Sequence, residues 1–328
     1  MDPPQRNYSR RMEFDRGATE GVTRLVLDCD PGHDDAFALF VALGSPRLEL
    51  AAVTTVAGNQ TVEKVTANTL ALLGHLGVHG VPVARGADRP LTRTHRPAPD
   101  IHGDGGLDGP VLAPGTQALD PRSAAELIVD LVMAEPGLTL VATGPLTNLA
   151  LALRREPRVA TRVAGVSIMG GAVTTGNVTA SAEFNVYVDP EAAAEVFAAP
   201  WTVTMMGLEV SHQALADEPV RARLAALGTR TGELGGALLD FFGARYREHQ
   251  GFASPPVHDL CPVVHLVAPE LFTTVSAPVA VETEGALTRG RTVVDLRDHA
   301  PGRRHVVGTG LDAARFWDVV LDAVSRLP

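Results

Sequence analysis

The regular alternation of short apolar strands with helices is the feature that most constrains what this chain can fold into. Residues 25–27 and 48–56 have the apolar, β-branched character of strands, and residues 35–43 between them have the pattern of a helix that ends at Gly44. Two neighbouring strands joined by a helix are parallel, because the helical crossover returns the chain to the same edge of the sheet. The start of the chain therefore predicts a βαβ unit.

The alternation continues as far as residue 206. A capping box from Ser123 to Glu126 begins one helix, and Asp189 followed by Pro190 is typical of the N-cap and first residue of another. The other predicted elements are a helix over 62–73 ended by Gly74, the helix that continues from the capping box through Met133, and strands over 138–143, 163–169 and 201–206. This pattern predicts an α/β protein with a mainly parallel, doubly wound, Rossmann-like sheet flanked by helices.

Composition and charge exclude several classes of protein. Of the 328 residues 45% are hydrophobic, so the chain can bury a full core and is not expected to be disordered. The net charge of −10 repels phosphate backbones, which argues against a nucleic-acid partner and favours a small neutral substrate or a cation. No apolar run approaches the roughly 20 residues that a membrane-spanning helix needs, so no membrane association is expected. Two isolated cysteines, Cys29 and Cys261, fit burial in a protein of the reducing cytoplasm.

Two segments stand apart from the alternating pattern. Residues 1–23 are polar and lack the apolar middle of a signal peptide, which predicts a flexible N-terminal extension ahead of one domain over 24–328. Residues 85–117 are rich in Gly, Pro, His and Asp and have little periodicity. We expect this second segment to be a long loop over a functional site.

An acidic motif, DCDPGHDD over residues 28–35, follows the first predicted strand. It brings together four carboxylates, Asp28, Asp30, Asp34 and Asp35, which need a positive charge to remain ionised at such short range. Ligands of parallel α/β sheets bind at the carboxyl ends of strands, and oxygen-only ligands suit Ca²⁺ or Mg²⁺. The motif therefore predicts a cation site, although Asp34 as a helix N-cap and Asp28 as a solvated strand end are structural alternatives.

Two known motifs overlap this stretch. An EF-hand loop counted from Asp28 would need Asp or Asn at position 32 and Glu at position 39, where the chain has Gly32 and Leu39, so this motif is excluded. A phosphohydrolase of the haloacid dehalogenase type has Asp-x-Asp-x-Thr/Val after its first strand. The chain matches at Asp28 and Asp30 but has Gly32 where Thr or Val belongs, which leaves this class as a weaker alternative.

The acidic motif and six later motifs, in this order, resemble those of the inosine-uridine type nucleoside hydrolases over residues 24–326. The later motifs are VAGN (56–59), HGDGGL (102–107), ATGPLTN (142–148), MGG (169–171), AEFN (182–185) and HD (258–259). The resemblance implies a calcium-dependent enzyme that hydrolyses the N-glycosidic bond of ribonucleosides. It also implies extra helices and strands at the C-terminal end of the fold and assembly into a homodimer or homotetramer.

The resemblance implies roles for the acidic residues. Ca²⁺ would be held by Asp30, Asp35, Asp259 and the backbone carbonyl of Thr143, together with water and ribose hydroxyls. Asp30 would also act as the general base for a water that attacks C1′ of a ribose with oxocarbenium character. Considered without the resemblance, Asp259 fits the N-cap of a helix and Thr143 an ordinary strand end.

The resemblance also implies a set of ribose contacts. The residues that match family positions in contact with the ribose hydroxyls are Asp34, Asn59, Asn177, Glu183 and Asn185. Met169 and Phe184 would pack against ribose or base, although both also fit a plain core role, and Asn59 fits a turn. A site of this kind leaves buried polar groups unpaired when a hydroxyl is missing, so deoxyribonucleosides are expected to be poor substrates.

The nucleobase end is the third implied part of the site. His258 matches the histidine of broad-specificity family members and would protonate the leaving base, with His102 in contact with the base and Tyr246 closing over it. A histidine at this position favours hydrolysis of inosine and uridine or a pyrimidine preference. The competing interpretation is a catalytically silent homologue that binds ribose or metal; the presence of Asp30 together with the metal-ligand residues argues against it.

Overall fold

The computed structural model of the chain describes residues 21–328. Residues 1–20 of the predicted N-terminal extension (1–23) lie outside the described residues. The first strand begins at Thr23, the last residue of that predicted extension. Within the described part the strands are β1 (Thr23–Cys29), β2 (Leu48–Thr55), β3 (Val83–Arg85), β4 (Thr139–Ala142), β5 (Gly165–Met169), β6 (Val203–Met206), β7 (Phe272–Val281), β8 (Thr292–Val294) and β9 (Arg304–Leu311).

These strands form a single sheet in the order β3-β2-β1-β4-β5-β6-β9-β7-β8. Neighbours from β3 to β9 in this order are parallel, whereas β7 pairs antiparallel with both β9 and β8. The mainly parallel, doubly wound fold is therefore as predicted, and the extra C-terminal strands supply its antiparallel edge. Strand order reverses between β1 and β4, the position where sheets of this type bind ligands.

Helices cover both faces of the sheet. They are α1 (His33–Gly44), α2 (Val62–His75), α3 (Pro99–His102), α4 (Ala124–Ala134), α5 (Thr147–Arg155), α6 (Val159–Arg162), α7 (Phe184–Val188), α8 (Pro190–Ala198), α9 (Leu208–Ser211), α10 (Glu218–Ala225), α11 (Arg230–His249), α12 (Leu260–Val267) and α13 (Ala313–Ser325), with a 3₁₀ turn at Pro269–Leu271. No helix among residues 21–328 is both long and apolar enough to span a membrane.

Two hydrophobic cores, one on each face, hold the sheet in place. Side chains alternate along a strand, so Leu25 and Leu27 of β1 join the core that contains Phe37 of α1, while Val26 joins the core that contains Leu149 of α5. A strand that is apolar on both faces is typical of a parallel sheet covered on both sides. Cys29 and Cys261 are buried and free, as predicted.

Local capping signals in the sequence agree with the structure in two places and fail in one. The Ser123 hydroxyl caps α4 through the Glu126 N–H, and the Asp189 carboxylate caps α8. The predicted end of α2 at Gly74 is wrong, because the helix continues through Gly74 to His75. The glycine that ends it is Gly77, whose φ of +67° is a left-handed conformation that glycine adopts without strain.

Candidate active site

An acidic cluster lies beside the carboxyl ends of β1 and β4. Asp34 and Asp35, in the first turn of α1, and Asp259, immediately before α12, have carboxylate oxygens within 4.8 Å of one another. Asp30 follows β1 and lies beside this group, and all four residues are buried. The fold thus brings the predicted metal ligands Asp30, Asp35 and Asp259 together and adds Asp34 as a further oxygen donor.

Two glycine loops enclose Asp30. Its Oδ2 accepts a hydrogen bond of 2.6 Å from the backbone N–H of Asn59, while Oδ1 is buried without a partner. A Cβ at Gly58 would lie 2.0 Å from Oδ2, and a Cβ at Gly144 would lie 2.5 Å from Oδ1. The VAGN and ATGPLTN motifs therefore need glycine because any side chain would collide with the Asp30 carboxylate.

The cluster is electrostatically incomplete by itself. Burial, followed by the charge of Asp35, raises the pKa of Asp34 to about 8 and the pKa of Asp30 well above its usual range. Burial and the charge of Asp34 raise the pKa of Asp259 in the same way. Because Oδ1 of Asp30 and Oδ1 of Asp34 are buried without partners, a cation would supply both the missing contacts and the missing charge. An oxygen-only donor set fits a hard divalent cation.

Thr143 connects the cluster to the predicted ribose residues. Its hydroxyl donates to Asp35 Oδ1 at 2.8 Å, and its backbone carbonyl accepts from Asn185 Nδ2 at 2.7 Å. Asn185 Nδ2 also contacts the Met169 carbonyl at 3.1 Å. The side chains at the ends of β4 and β5 are therefore fixed relative to the acidic cluster.

Glu183 is held by backbone amides at the start of α7. Its carboxylate accepts from the N–H groups of Gly171, Asn185 and Val186 at 2.9, 2.8 and 3.1 Å. Burial raises the pKa of Glu183 to about 7, against the lowering effect of these three donors. Asn177 Oδ1 accepts from the Phe184 N–H at 3.0 Å, so the loop before α7 is also fixed.

A solvent-open cavity of about 560 Å³ connects these groups. Every predicted site residue except Asp30 and Asp35 lines this cavity. Asp30 accepts a hydrogen bond from Asn59, and Asp35 accepts one from Thr143, so both carboxylates contact residues of the lining. The lining residues that the sequence analysis did not single out are Ala98, Ile101, Val178 and Gln250.

Histidine and tyrosine side chains form a buried chain at one wall of the cavity. The Tyr246 hydroxyl lies 2.7 Å from His258 Nε2, and His258 Nδ1 lies 2.7 Å from the Ser211 hydroxyl. Burial lowers the pKa of His258 to about 3, so its imidazole is neutral near pH 7. Ser211 was not predicted as a site residue, because it belongs to no motif and comes from the four-residue helix α9, 47 positions before its partner.

The predicted loop over 85–117 contributes Ala98, Ile101 and His102 to the cavity lining, as expected. His102 lies in the cavity wall with Nδ1 3.4 Å from the backbone N–H of His33 and 3.3 Å from His33 Nδ1. His33 Nε2 is in turn 2.8 Å from the Asp108 carbonyl, and its ring stacks on Phe241 at 5.0 Å. His33, the one basic residue of the acidic motif, thus anchors the loop that presents His102.

Two structural alternatives from the sequence are wrong, and a third is correct in position. Asp28 is buried, and its Oδ1 accepts from the Thr54 hydroxyl at 2.6 Å and Asn148 Nδ2 at 2.7 Å, so it is not a solvated strand end. Gly32, not Asp34, is the N-cap of α1, whereas Asp259 is the N-cap residue of α12, as this alternative predicted, although its side chain makes no capping hydrogen bond. The carboxylates of Asp34 and Asp259 are therefore not used for capping, whereas Asp28 connects β1, β2 and α5.

Comparison with known proteins gives one consistent family. Residues 25–318 match the family model described as inosine-uridine preferring nucleoside hydrolase. An inosine-uridine preferring nucleoside hydrolase of Leishmania major is 47% identical over 93% of this chain and 98% of its own length. A pyrimidine-specific ribonucleoside hydrolase RihA of Escherichia coli (strain SMS-3-5 / SECEC) is 46% identical over 91% of this chain and 97% of its own length.

Solved structures agree with this result. A purine-preferring ribonucleoside hydrolase from Gardnerella vaginalis has a TM-score of 0.87 at 33% identity, covering 92% of this chain and 98% of its own. A plant nucleoside hydrolase has a TM-score of 0.87 at 30% identity, covering 92% of this chain and 99% of its own. The similarity extends over almost all of the described residues, and the chain belongs to the inosine-uridine preferring nucleoside hydrolases, a family of enzymes.

Proposed function

We propose that this enzyme hydrolyses the N-glycosidic bond of ribonucleosides, inosine and uridine among them, in a calcium-dependent reaction. The main support is one continuous cavity that joins an oxygen-only acidic cluster to the Tyr246–His258 pair. A nucleoside has ribose hydroxyls, which suit the acidic cluster, and a leaving base, which suits the Tyr246–His258 pair. Membership of the family removes the phosphohydrolase alternative, and the presence of the proposed base and all the metal ligands favours an active enzyme over a silent homologue.

The proposed metal ligands are Asp30, Asp35, Asp259 and the Thr143 carbonyl, with Asp34 as a neighbouring oxygen donor. When bound, Ca²⁺ supplies positive charge that orients the ribose hydroxyls and increases the acidity of water in the site. Its charge also offsets the mutual repulsion of these carboxylates, which is why we expect the metal to support folding as well as turnover.

Asp30 is the proposed general base. Its Oδ2 is fixed by the Asn59 N–H, and its unpartnered Oδ1 is available to accept a proton from water. Without a cation, burial and the charge of Asp35 raise the pKa of Asp30 well above its usual range, and a bound Ca²⁺ would favour the ionised carboxylate that a general base requires. Attack at C1′ from the face opposite the departing base inverts the anomeric centre.

The ribose is proposed to bind between the acidic cluster and α7. Asp34, Asn59, Asn177, Glu183 and Asn185 line this part of the cavity and are mostly fixed by backbone hydrogen bonds. Since these side chains are already oriented, they bind ribose hydroxyls without a large loss of conformational entropy. A missing hydroxyl would leave a buried group unpaired, which gives the site its selectivity for ribose.

The leaving base is proposed to receive its proton from Tyr246, supported by His258. We assign to His258 the tautomer protonated at Nε2, in which the Ser211 hydroxyl donates to Nδ1 and Nε2 donates to the Tyr246 oxygen; the two contacts of 2.7 Å fit this assignment. This arrangement leaves the Tyr246 hydroxyl proton free to point towards the departing base, and the chain of hydrogen bonds polarises it. The proton-donor role predicted for His258 is thereby shared with Tyr246, which fits a buried imidazole that is neutral near pH 7.

Assembly and location belong to the same proposal. We infer a homodimer or homotetramer, which the exposed apolar side chains of Leu287, Val293 and Leu296 around β8 support. The two free, buried cysteines fit the cytoplasm. Light scattering coupled to size-exclusion chromatography measures the state of assembly, and a monomer at micromolar concentration would contradict this part.

The function is tested with inosine, uridine, cytidine, adenosine and guanosine, assayed for free ribose with and without a chelator. We expect ribose release from inosine and uridine that stops on chelation and returns with added Ca²⁺. Full turnover by rigorously metal-free protein would contradict the calcium dependence. Release of inorganic phosphate from nucleoside monophosphates, without free base, would contradict the proposed reaction.

A further inference from the structure

Gln250 is a cavity residue whose side chain is not committed to the protein. It lines the same cavity as Tyr246, and its backbone N–H donates to the Tyr246 carbonyl at 3.0 Å. Its carboxamide makes no hydrogen bond within residues 21–328. The amide and imidazole side chains that line the cavity with it are all hydrogen-bonded to protein groups: Asn59, His102, Asn177, Asn185 and His258.

The position of Gln250 puts it at the outer end of the cavity. Phe242, Tyr246 and Gln250 are spaced by four residues and so share one face of α11, with Gln250 as its C-cap. Phe242 packs on His33 and His102 near the acidic motif, Tyr246 packs on His258, and the next turn is about 6 Å further along the helix. Exposure rises in the same direction, because Phe242 and Tyr246 are buried and Gln250 is half-buried.

The surroundings of Gln250 suit the flat outer edge of a nucleobase. The helix α3 lies against this part of α11, since Arg245 Nε donates to the Asp100 carbonyl at 2.7 Å. Ala98 and Ile101, on either side of Asp100, supply apolar cavity wall. A planar ring held by apolar walls would present its edge to the Gln250 amide, which has no hydrogen-bond partner within residues 21–328.

We propose that Gln250 recognises the nucleobase through its edge of adjacent ring N–H and C=O, as found in hypoxanthine and uracil. This inference rests on the proposed function. A carboxamide carries one donor group and one acceptor side by side, which pairs with such an edge through two hydrogen bonds. As the glycosidic bond breaks, negative charge grows on that carbonyl oxygen, so the bond from the Gln250 amide strengthens in the transition state. Gln250 thereby favours oxo-substituted bases in purine and pyrimidine nucleosides alike.

The test compares Gln250→Leu with the wild type on inosine and on purine riboside, which lacks both the 6-oxo group and the N1–H. We expect kcat/KM for inosine to fall by roughly tenfold, as for the loss of two ordinary hydrogen bonds. Purine riboside, measured as substrate and as competitive inhibitor, should change by less than about twofold because it offers no such edge to lose.

Two further variants separate recognition from helix stability. Gln250→Glu keeps the size and the hydrogen-bond acceptor of the side chain but removes the donor. The kcat/KM for inosine should therefore fall at least as far as in Gln250→Leu. Arg247→Leu changes an exposed side chain outside the cavity lining in the same turn of α11 and should leave both substrates unaffected.

Equal losses on inosine and purine riboside would overturn the inference, because they would show an effect on cavity shape. An unchanged kcat/KM for inosine in Gln250→Leu would overturn it as well. Failure of the wild type to release ribose from any nucleoside would instead refute the proposed function, and the role of Gln250 with it.

Discussion

Replacing His258 with alanine tests how the leaving base obtains its proton. The imidazole makes two buried contacts of 2.7 Å, to the Tyr246 hydroxyl and the Ser211 hydroxyl. The variant leaves both hydroxyls without that partner, and each buried unsatisfied group costs about 1–3 kcal/mol. If this cost of about 2–6 kcal/mol falls on the transition state, the rate drops by roughly 30-fold to 2.5 × 10⁴-fold, at about 1.36 kcal/mol per factor of ten. The loss of about 10² to 10⁴ that is typical of a removed general acid lies within this range.

Substrate dependence distinguishes proton donation from support of the metal site. The assay compares kcat/KM for inosine with that for p-nitrophenyl riboside, whose leaving group needs no proton. We expect His258→Ala to slow inosine by the full amount and p-nitrophenyl riboside far less. If His258 only positions its neighbour Asp259, both substrates should slow together, because both reactions depend on the metal.

Two control variants test whether the buried chain acts as a unit. Ser211→Ala removes only the contact to His258 Nδ1. Its kcat/KM for inosine should therefore fall by about 10- to 100-fold, less than that of His258→Ala. Tyr246→Phe should resemble His258→Ala, and the double variant should lose little more than either single variant, because residues of one network are not additive. Equal losses on both substrates, or fully additive losses in the double variant, would refute the proton-donor role.

Three other predictions concern the acidic cluster and the ribose. Asp30→Asn should lower kcat by at least about 10² while nucleoside binding measured by calorimetry persists; near-native kcat would remove Asp30 as the base. Ca²⁺ at about 100 times its dissociation constant should raise the melting temperature by about 4 °C, because it relieves repulsion among buried carboxylates, and an unchanged melting curve would contradict the site. The kcat/KM for 2′-deoxyinosine should be about 10⁴-fold below that for inosine, and comparable values would contradict the proposed ribose contacts.

The sequence determined those features that depend on neighbouring residues. The alternation of strands and helices predicted the parallel sheet, because the periodicity of apolar residues decides which face of an element is buried. The caps at Ser123 and Asp189 were predicted correctly because capping joins residues within one turn. The end of α2 was predicted wrongly. Gly74 and Gly77 cannot be told apart by residue type, and only the backbone conformation shows that Gly77 is the one after the helix.

Tertiary structure decided the features that join distant segments. The acidic motif alone indicated a cation site, but only the packing of α1 against α12 brings Asp259 next to Asp34 and Asp35. Asp28, chemically the same as its neighbours in the motif, is bonded to Thr54 and Asn148 instead. Ser211 and Gln250 had no signal in the sequence, because a serine or glutamine acquires a role only from the groups that the fold places beside it. Contacts of this kind depend on how the elements pack around the sheet, which local periodicity does not specify.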